Sequence, residues 1–388
     1  MKDRCPICKH TQIIDFLHIP DIPIFCNVLF NSPEDAQRIP RGSLQLSFCP
    51  TCGHIFNRTF DPTRMHYSTT YENSLHYSPR FQTYAEELAS YLIARYHLRG
   101  KTIVEIGAGQ GDFLKMLVTL GENRGIGFDP SYTGNLKPAS RLFFIRDLFS
   151  AAYAQQFDPD FICCRHVLEH IEQPAAFLQD VHQALKHHPH TPVFFEVPNM
   201  EYTLTHTALW DLIYEHCGYF TSYSLHYAFA QAGFKVQTIQ PTFGDQFLTI
   251  EAISHHEPYT PTLDPITREQ LAQQVQQFAA RYQEKIAFWT EQIKTLERNR
   301  QKAILWGAGS KGVTFANLLP QTPAIVGLVD INPRKQGCFV SGSGHPILRP
   351  QALRSIQPDV IILMNPNYEA EIRATVQELG LSPAFLIA

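Results

Sequence analysis

The chain has 388 residues, of which 44% are apolar and 18% charged, and its formal net charge is −4. This length allows two or three domains with a substantial core, and the composition is that of an ordinary globular protein. The slight negative charge argues against nucleic acid as the main partner. No apolar run approaches the ~20 residues of a membrane span, and MKDRCPICKH lacks the apolar segment of a signal peptide. We therefore expect a cytoplasmic protein without a membrane partner.

The predicted elements begin with a Pro- and Cys-rich N-terminal domain over residues 1–74. From 75 to 263 apolar runs alternate with segments of helical length and pattern. Such alternation predicts an α/β domain built on a parallel sheet. Its predicted strands are Thr102–Ile106, Gly125–Asp129, Leu142–Arg146, Phe161–Cys164 and Val193–Val197.

Residues 264–300 contain no glycine, and apolar residues from Ile266 to Leu296 recur mostly every three or four positions. This period predicts one long amphipathic helix that links to a last domain. In residues 301–388 the alternation returns, with predicted strands Ala303–Trp306, Ile325–Val329 and Val360–Leu363. The expected fold class is thus α/β, with a small cysteine-bearing N-terminal domain, called the head below.

Two CxxC pairs lie about forty residues apart in the N-terminal domain, Cys5-Pro-Ile-Cys8 and Cys49-Pro-Thr-Cys52. Four thiolates at this spacing fit tetrahedral zinc, and a site closed by four sulfurs is structural rather than catalytic. A reduced redox pair is the alternative. The tandem arrangement, with neither pair opening a βαβ unit, favours structural zinc.

The segment IVEIGAGQGDFL joins a predicted strand to a predicted helix through Gly107, Gly109 and Gly111. Glycines let the backbone approach a ligand closely, and the helix offers free N–H groups at its start. Glu105 lies inside the strand, and Asp129 ends the next one, where a carboxylate could accept both hydroxyls of a ribose. A nicotinamide-binding turn and a plain strand–helix connection are the alternatives.

The order of motifs continues with Asp147 after the third strand and His166 after the fourth, in FFIRDLF and CCRHVLEHI. This series resembles class I S-adenosylmethionine-dependent methyltransferases. The resemblance implies that the glycine turn holds the methionine part, that Asp129 holds the ribose and that Asp147 lies near the adenine. It carries cofactor binding over to Glu105, Gly107, Gly109, Gly111, Asp129, Asp147 and His166.

A second glycine turn, in AILWGAGSKGVTF, follows the first strand of the last domain, and Asp330 ends the next strand. Taken alone it matches a dinucleotide-binding fingerprint, so a nicotinamide cofactor is one reading. A second reading is that Gly307, Gly309, Ser310 and Lys311 bind a phosphate-bearing substrate at the helix start. A third reading is a half-domain that only supports the domain with the first glycine turn.

The twin CxxC, the methyltransferase series, YEHCGYFTSYSL and WGAGSKG follow one another along nearly the whole chain. In this order they resemble the sugar C-methyltransferase family. The resemblance implies a zinc-bearing head, a methyltransferase domain and a C-terminal Rossmann-like domain, with a nucleotide-linked sugar between the last two. It further implies methylation at C3 of a 4-keto deoxysugar, with His216 as base and Glu215 beside it.

This chemistry agrees with the residue types. A carbon next to a ketone must lose a proton before it attacks a methyl group, and a histidine of near-neutral pKa is suited to take that proton. A tyrosine hydroxyl could hold the enolate oxygen, and Tyr71 and Tyr214 are the candidates. Core packing is the alternative for both tyrosines, and a structural role is the alternative for His216.

Three segments depart from the family pattern: GAGQGDF, RHVLEHI and FGDQFLTIEA, the last of which brings Asp245 and Gln246 towards the expected substrate, near Asn199. An O- or N-methyltransferase of another anionic small molecule therefore stays open, as does a non-catalytic binding protein. The intact cofactor series favours an enzyme. We expect a monomer that acts on a small molecule, with S-adenosylmethionine and structural zinc.

Overall fold

The computed structural model describes residues 2–65, 71–134, 141–255, 258–262 and 265–388. The β-strands in these ranges are β1 Ile14–Pro23, β2 Arg41–Phe48, β3 Ile55–Asn57, β4 Thr102–Ile106, β5 Arg124–Phe128, β6 Leu142–Ile145, β7 Phe161–Arg165, β8 Pro192–Pro198, β9 Gly218–Tyr219, β10 Phe234–Thr242, β11 Phe247–Ser254, β12 Ala303–Trp306, β13 Ile325–Val329, β14 Ile347–Leu348, β15 Val360–Leu363 and β16 Ala384–Ile387. The α-helices are α1 Pro33–Gln37, α2 Pro79–Tyr96, α3 Asp112–Gly121, α4 Ala151–Phe157, α5 Pro174–Ala184, α6 Met200–His206, α7 Ser222–Gln231, α8 Pro265–Arg298, α9 Ser310–Leu318, α10 Leu353–Ile356 and α11 Glu369–Glu378.

The central sheet has seven strands in the order β10-β11-β8-β7-β4-β5-β6. Strands β8, β7, β4, β5 and β6 are parallel neighbours, whereas β11 runs antiparallel to both β8 and β10. The chain moves outward from β4 in both directions, so the carboxyl end of β4 is a topological switch point, where such sheets bind ligands. This order is that of a class I methyltransferase, and it confirms the predicted α/β fold.

The N-terminal sheet has the order β1-β2-β3-β9. Its first three strands come from the residues around the two CxxC pairs. Its fourth, β9, comes from the YEHCGYF segment and pairs antiparallel with β3, Tyr219 opposite Ile55. The head is therefore joined by backbone hydrogen bonds to the segment that carries Glu215 and His216.

The C-terminal sheet is entirely parallel, in the order β14-β13-β12-β15-β16. Strand β12 lies between β13 and β15, so its carboxyl end is again a switch point. The second glycine turn occupies that position.

Helix α8 connects the central and C-terminal sheets and buries the apolar face that its period predicts. The buried residues are Leu271, Val275, Phe278, Tyr282, Trp289, Ile293 and Leu296. Ile266 is 64% exposed, so the first turn of the helix does not contribute to that face. The buried face packs into one core with residues of β1, β2 and β12, such as Leu17, Leu44 and Leu305.

The predicted domain limits stay a prediction, and the limit between 263 and 264 lies outside the described residues. In the part of the chain that the structure describes, no helix is both long and apolar enough to span a membrane.

Candidate active site

The first glycine turn follows β4 at its carboxyl end, and its glycines are required by close contacts. Gly107 and Gly111 have φ of +70° and +82°. A Cβ atom would lie 2.2 Å from Val167 at the first position and 2.1 Å from Phe144 at the second. Larger residues are excluded by both backbone strain and collision. The turn thus keeps its backbone open to a ligand at the start of α3.

Two acids flank this turn in different environments. Asp129, just beyond β5, accepts hydrogen bonds from the backbone N–H of Gly109 at 2.7 Å and of Ser131 at 2.8 Å. Glu105 is buried in β4, and its Oε2 has no hydrogen-bond partner in the described part of the chain. Burial raises the pKa of Glu105 to about 8, although Arg165 opposes the shift.

S-adenosylmethionine fits this combination of a glycine-rich turn, an acid at a strand end and a buried acid. The cofactor carries ribose hydroxyls for Asp129 and an amine whose positive charge would favour the ionised form of Glu105. Asp147 lies exposed beyond β6 and accepts from the Tyr153 hydroxyl at 2.9 Å. The three acids Glu105, Asp129 and Asp147 therefore lie on or just beyond three adjacent parallel strands.

His166 belongs to a buried network around Glu196 of β8. Its Nε2 lies 2.9 Å from Glu196 Oε1, and Arg165 donates to the same oxygen at 2.8 Å. Tyr84 donates to the other carboxylate oxygen. Burial alone would lower the pKa of His166, but its contacts with Glu169 and Glu196 raise it to about 9. The structure thus gives His166 two carboxylate neighbours behind the predicted cofactor position.

His216 lies in a cluster with Glu169 and His170. One ligand atom from each of the three lies within 4.8 Å of the others, and the rings of His170 and His216 are 4.9 Å apart. Burial, with a further contribution from His170, lowers the pKa of His216 to about 3. The sequence-based expectation of a near-neutral pKa is therefore wrong for the protein without ligands, because the ring is shielded from water.

Glu215 lies in the same loop but faces Cys26 and Tyr71. Its Oε2 accepts the backbone N–H of Cys26 at 2.8 Å, and the Tyr71 side chain lies close enough to act on its pKa, which it lowers. Burial raises the pKa of this fully buried carboxyl. Tyr71 also receives a hydrogen bond from Asn27 at 3.4 Å. Tyr71 and Glu215, two of the predicted catalytic residues, are thus in contact.

Tyr214 does not join them. Its side chain is buried, its hydroxyl accepts the backbone N–H of Asp61 at 3.0 Å, and its ring lies 5.6 Å from that of Phe60. A hydroxyl engaged in this way within the core matches the packing alternative. Tyr71 is the tyrosine in contact with Glu215.

The predicted substrate residues of the central and C-terminal sheets meet. Lys311 donates to Gln246 Oε1 at 3.0 Å and forms an ion pair with Asp211 at 2.9 Å. The Gln246 amide also exchanges hydrogen bonds with Asn365 at 2.8 and 2.9 Å. Beside them is a cavity of about 90 Å³ that Tyr202 and Lys285 help to line. Polar side chains from the domains of the central and C-terminal sheets therefore meet beside this cavity.

Asn199 has a local structural role in this region. Its Oδ1 accepts the N–H of Glu201 at the start of α6, and its Nδ2 donates to the carbonyl of Asp245 at 2.8 Å. These bonds leave little of the side chain for a substrate. Its predicted substrate contact stays a prediction.

The second glycine turn has the geometry that its motif predicts. Gly307 has φ of +114°, and the N–H of Ala308 donates to Asp330 at 2.9 Å. Gly309 precedes α9, which begins at Ser310. Buried Lys335 donates to the carbonyl of Ala308 at 3.1 Å. A cation therefore lies directly beneath this turn.

The four cysteines of the two pairs form one cluster. Cys5 Sγ lies 3.5 Å from Cys52 Sγ, and Cys8 Sγ lies 3.5 Å from Cys49 Sγ. Sulfurs around one zinc ion with bonds of about 2.3 Å lie ~3.8 Å apart. The cluster is therefore compatible with zinc.

The two CxxC turns also have matching backbones. Cys5 N–H donates to the carbonyl of His10, and Cys49 N–H donates to that of His54, each at 2.9 Å. Lys9 and Gly53 occupy equivalent left-handed positions, with φ of +61° and +71°. Such a repeated turn directs both thiols of each pair towards the same point.

Several polar residues of the site carry no motif. Glu196 lies inside a core strand, and its only sequence signal is an acid among apolar residues in FFEVP. Glu72 accepts from Asn332 and from Arg334, each at 3.1 Å. Asn365 lies in MNPN, a turn without a known signature. Only tertiary structure brings these side chains to the site.

Two family models match the chain. One, described as a methyltransferase domain, covers residues 79–239, and the other, described as a C-methyltransferase C-terminal domain, covers residues 266–384. A curated relative, C-methyltransferase NovU from Streptomyces niveus, is 24% identical, over 95% of this chain and 91% of its own length.

Solved structures of methyltransferases also resemble the chain at low identity. One is a complex of the Trm112 methyltransferase activator and a methyltransferase from Haloferax volcanii, with 15% identity, 48% and 100% coverage of the two chains and a TM-score of 0.33. Another is magnesium protoporphyrin IX methyltransferase from Synechocystis PCC 6803 with bound SAH, with 15% identity, 45% and 84% coverage and a TM-score of 0.34. Similarity at this level carries no conclusion about function.

The sheet order and the matched methyltransferase domain define the protein as a class I S-adenosylmethionine-dependent methyltransferase. The match over residues 266–384 and the curated relative add a similarity to C-methyltransferases, the first over the last domain and the second over most of the chain.

Proposed function

We propose that the enzyme methylates C3 of a nucleotide-linked 4-keto deoxysugar, with His216 as the base. The observation that carries the proposal is the grouping of His216 with Glu169 and His170, next to the loop in which Glu215 meets Tyr71. Carbon methylation requires removal of a C–H proton, and these residues supply a neutral imidazole and hydroxyl or carboxyl donors.

In the proposed reaction His216 accepts the proton from C3, and the C–H electron pair moves into an enolate with charge on the C4 oxygen. Tyr71, with Glu215 behind it, donates a hydrogen bond to that oxygen. The bound S-adenosylmethionine supplies an electrophilic methyl group. The enolate carbon forms the new bond as the sulfur leaves with its electron pair, and the proton stays on His216.

His216 is a weak base without ligands, so an anion must raise its pKa during turnover. Glu169 is suited to this because its charge already acts to raise the pKa of His216. Burial acts to raise the pKa of Glu169, but His166, His170 and His216 together outweigh burial and lower it, so that Glu169 is a carboxylate at neutral pH.

For the nucleotide part we propose the groups around the second glycine turn. Lys311 and the start of α9 offer a cation and free N–H groups, which suit a pyrophosphate. Gln246 and Lys311 are held together across the two halves. We further propose that four thiolates hold a structural zinc ion, and that the protein acts as a cytoplasmic monomer.

The test uses methyl-labelled S-adenosylmethionine and a panel of nucleotide-linked 4-keto sugars deuterated at C3. We expect loss of deuterium from C3 and a C-methyl product, both read by NMR. Retained deuterium together with methyl transfer to oxygen or nitrogen would establish the O- or N-methyltransferase instead.

The base is tested by His216→Asn. We expect turnover to fall by about 10²–10⁴-fold, while the affinity for S-adenosylhomocysteine, measured by calorimetry, stays unchanged. His18→Asn, at an exposed position of β1, is the matched control and should keep full turnover. Normal turnover in the His216 variant would disprove the base assignment.

A further inference from the structure

Three metal-binding side chains converge beside the cofactor strands. Glu169 and His170 belong to the short helical turn Leu168–His170 after β7, and His216 precedes β9. Their ligand atoms lie within 4.8 Å of one another. Among the described residues the cysteine cluster is the other group of this kind.

Two atoms of this group are buried without partners. Glu169 is 2% exposed, and its Oε2 makes no hydrogen bond with any residue that the structure describes. The Nδ1 of His216 is likewise buried and has no partner among those residues. Leaving a carboxylate oxygen and an imidazole nitrogen in this state is costly. A bound cation would satisfy both atoms at once.

His170 has the orientation of a metal-binding imidazole. Its Nδ1 lies 3.0 Å from the backbone carbonyl of Glu215. An N–H donated to that carbonyl places the lone pair on Nε2, and metal-binding histidines are commonly held by such a hydrogen bond on the other nitrogen. Glu169 Oε1 lies within ion-pair distance of His166, 3.7 Å from its Nδ1.

We propose that Glu169, His170 and His216 bind one divalent transition-metal ion, with Zn²⁺ the best match. Two imidazoles and a carboxylate suit zinc, cobalt, nickel or copper, whereas calcium and magnesium prefer oxygen ligands. Ligand atoms on a tetrahedral zinc ion with bonds of about 2.0–2.1 Å lie ~3.3 Å apart. The side chains would have to close by up to about 1.5 Å.

Such an ion inhibits the enzyme, a consequence that depends on the proposed function. If His216 is the base, coordination of its ring removes a lone pair and lowers the basicity of the other nitrogen. Binding of the metal itself does not depend on that role. The two statements therefore have separate measurements.

Binding is tested on the full-length protein whose cysteine cluster has first been filled with one equivalent of zinc. Co²⁺ alone is then titrated and followed by visible absorption. An ion bound by nitrogen and oxygen gives ligand-field bands without the sulfur-to-cobalt charge-transfer bands of a thiolate site. We expect one further ion per chain, with affinity reduced at least about 10-fold in both Glu169→Gln and His216→Asn.

His18→Asn is the control and should bind cobalt as the wild type does. Circular dichroism and S-adenosylhomocysteine binding check that each variant is folded. The proposal is overturned if no further ion binds, or if both variants bind it with unchanged affinity.

Inhibition is tested by adding Zn²⁺ to the methyl-transfer assay. We expect loss of turnover at the concentrations that fill the site, recovery on chelation of the added zinc, and no change from Mg²⁺. Occupancy by cobalt or zinc without inhibition would refute the inhibitory effect. If no keto sugar is methylated at all, the proposed function fails, yet the cobalt stoichiometry still decides the metal site.

Discussion

At the scale of single residues, Glu105 is expected to make the stability of the protein depend on pH. It is an acid inside a core strand, 3% exposed, with one carboxylate oxygen unpaired. Its pKa of about 8 means that the folded protein holds it protonated under conditions where the unfolded chain releases the proton. The Glu105 carboxyl, which suits a bound cofactor, thus destabilises the folded protein while the cofactor is absent.

This predicts a pH dependence that Glu105→Gln removes. A raised folded-state pKa gives a contribution to stability that is full below pH ~4.5 and is lost as pH rises towards 8. Relative to the variant, the wild type should lose up to about 4 kcal/mol between those limits, since each pKa unit is worth ~1.4 kcal/mol. Urea unfolding of both proteins at pH 5, 6.5 and 8 measures it. A constant difference across this range would contradict the prediction.

The predicted catalytic residues mark the limit of what sequence alone predicts. The motif identified Glu215 and His216 but not their different neighbours, Cys26 with Tyr71 on one side and Glu169 on the other. Nor could it predict that burial lowers the pKa of His216. Both depend on contacts between distant segments, which no local pattern encodes.

At the scale of elements, the sequence predicts far more. Thr102–Ile106, Ala303–Trp306, Ile325–Val329 and Val360–Leu363 have their predicted limits, and the other four predicted strands differ by one residue at one or both ends. Short apolar runs are local signals, and the strands β12, β13 and β15 are buried along nearly their whole length, as expected for the centre of a parallel sheet. The strand β9 was not predicted, because two residues that pair with a distant strand have no periodicity of their own.

The cysteine turns predict a metal-dependent element. Cys49→Ser should lower the zinc content and the thermal unfolding midpoint, because zinc binding to structural sites contributes about 10–16 kcal/mol of apparent free energy to folding. Activity should fall as well. Strand β3, which follows Cys52, pairs with β9, and β9 follows His216. Metal analysis and calorimetry measure the first two effects.

Cys338→Ser is the control for this experiment, because Cys338 is a half-buried thiol outside the cluster. It should keep both zinc and midpoint. A Cys49→Ser protein with wild-type zinc content and an unchanged midpoint would show that the cluster does not hold the ion.

At the scale of the whole molecule, a short segment after Tyr71 connects the three sheets. Tyr71 contacts Glu215 in the loop that leads to β9. Glu72 accepts hydrogen bonds from Asn332 and Arg334 beyond β13. Ser74 donates to Asp112 at the start of α3, beside the first glycine turn, at 3.1 Å. Successive residues thus fix the position of Tyr71 relative to both glycine turns.

The contact between Glu72 and Arg334 is tested with Glu72→Gln, Arg334→Gln and the double variant. Arg334 is half exposed, so the ion pair itself should contribute no more than about 1 kcal/mol to stability. Each single change should nevertheless reduce kcat by roughly 3- to 10-fold through displacement of Tyr71, because small misplacements of reacting groups are costly. The affinity for S-adenosylhomocysteine should not change.

Since the two residues act through one contact, the double variant should be no worse than the poorer single variant. Arg38→Gln is the matched control. It breaks an exposed ion pair with Asp35, three residues earlier in the chain, and should leave kcat unchanged. If the double variant instead shows the product of the two single reductions in kcat, the residues act independently. In that case Glu72 would position Tyr71 through Asn332, and Asn332→Ala would carry the loss of kcat.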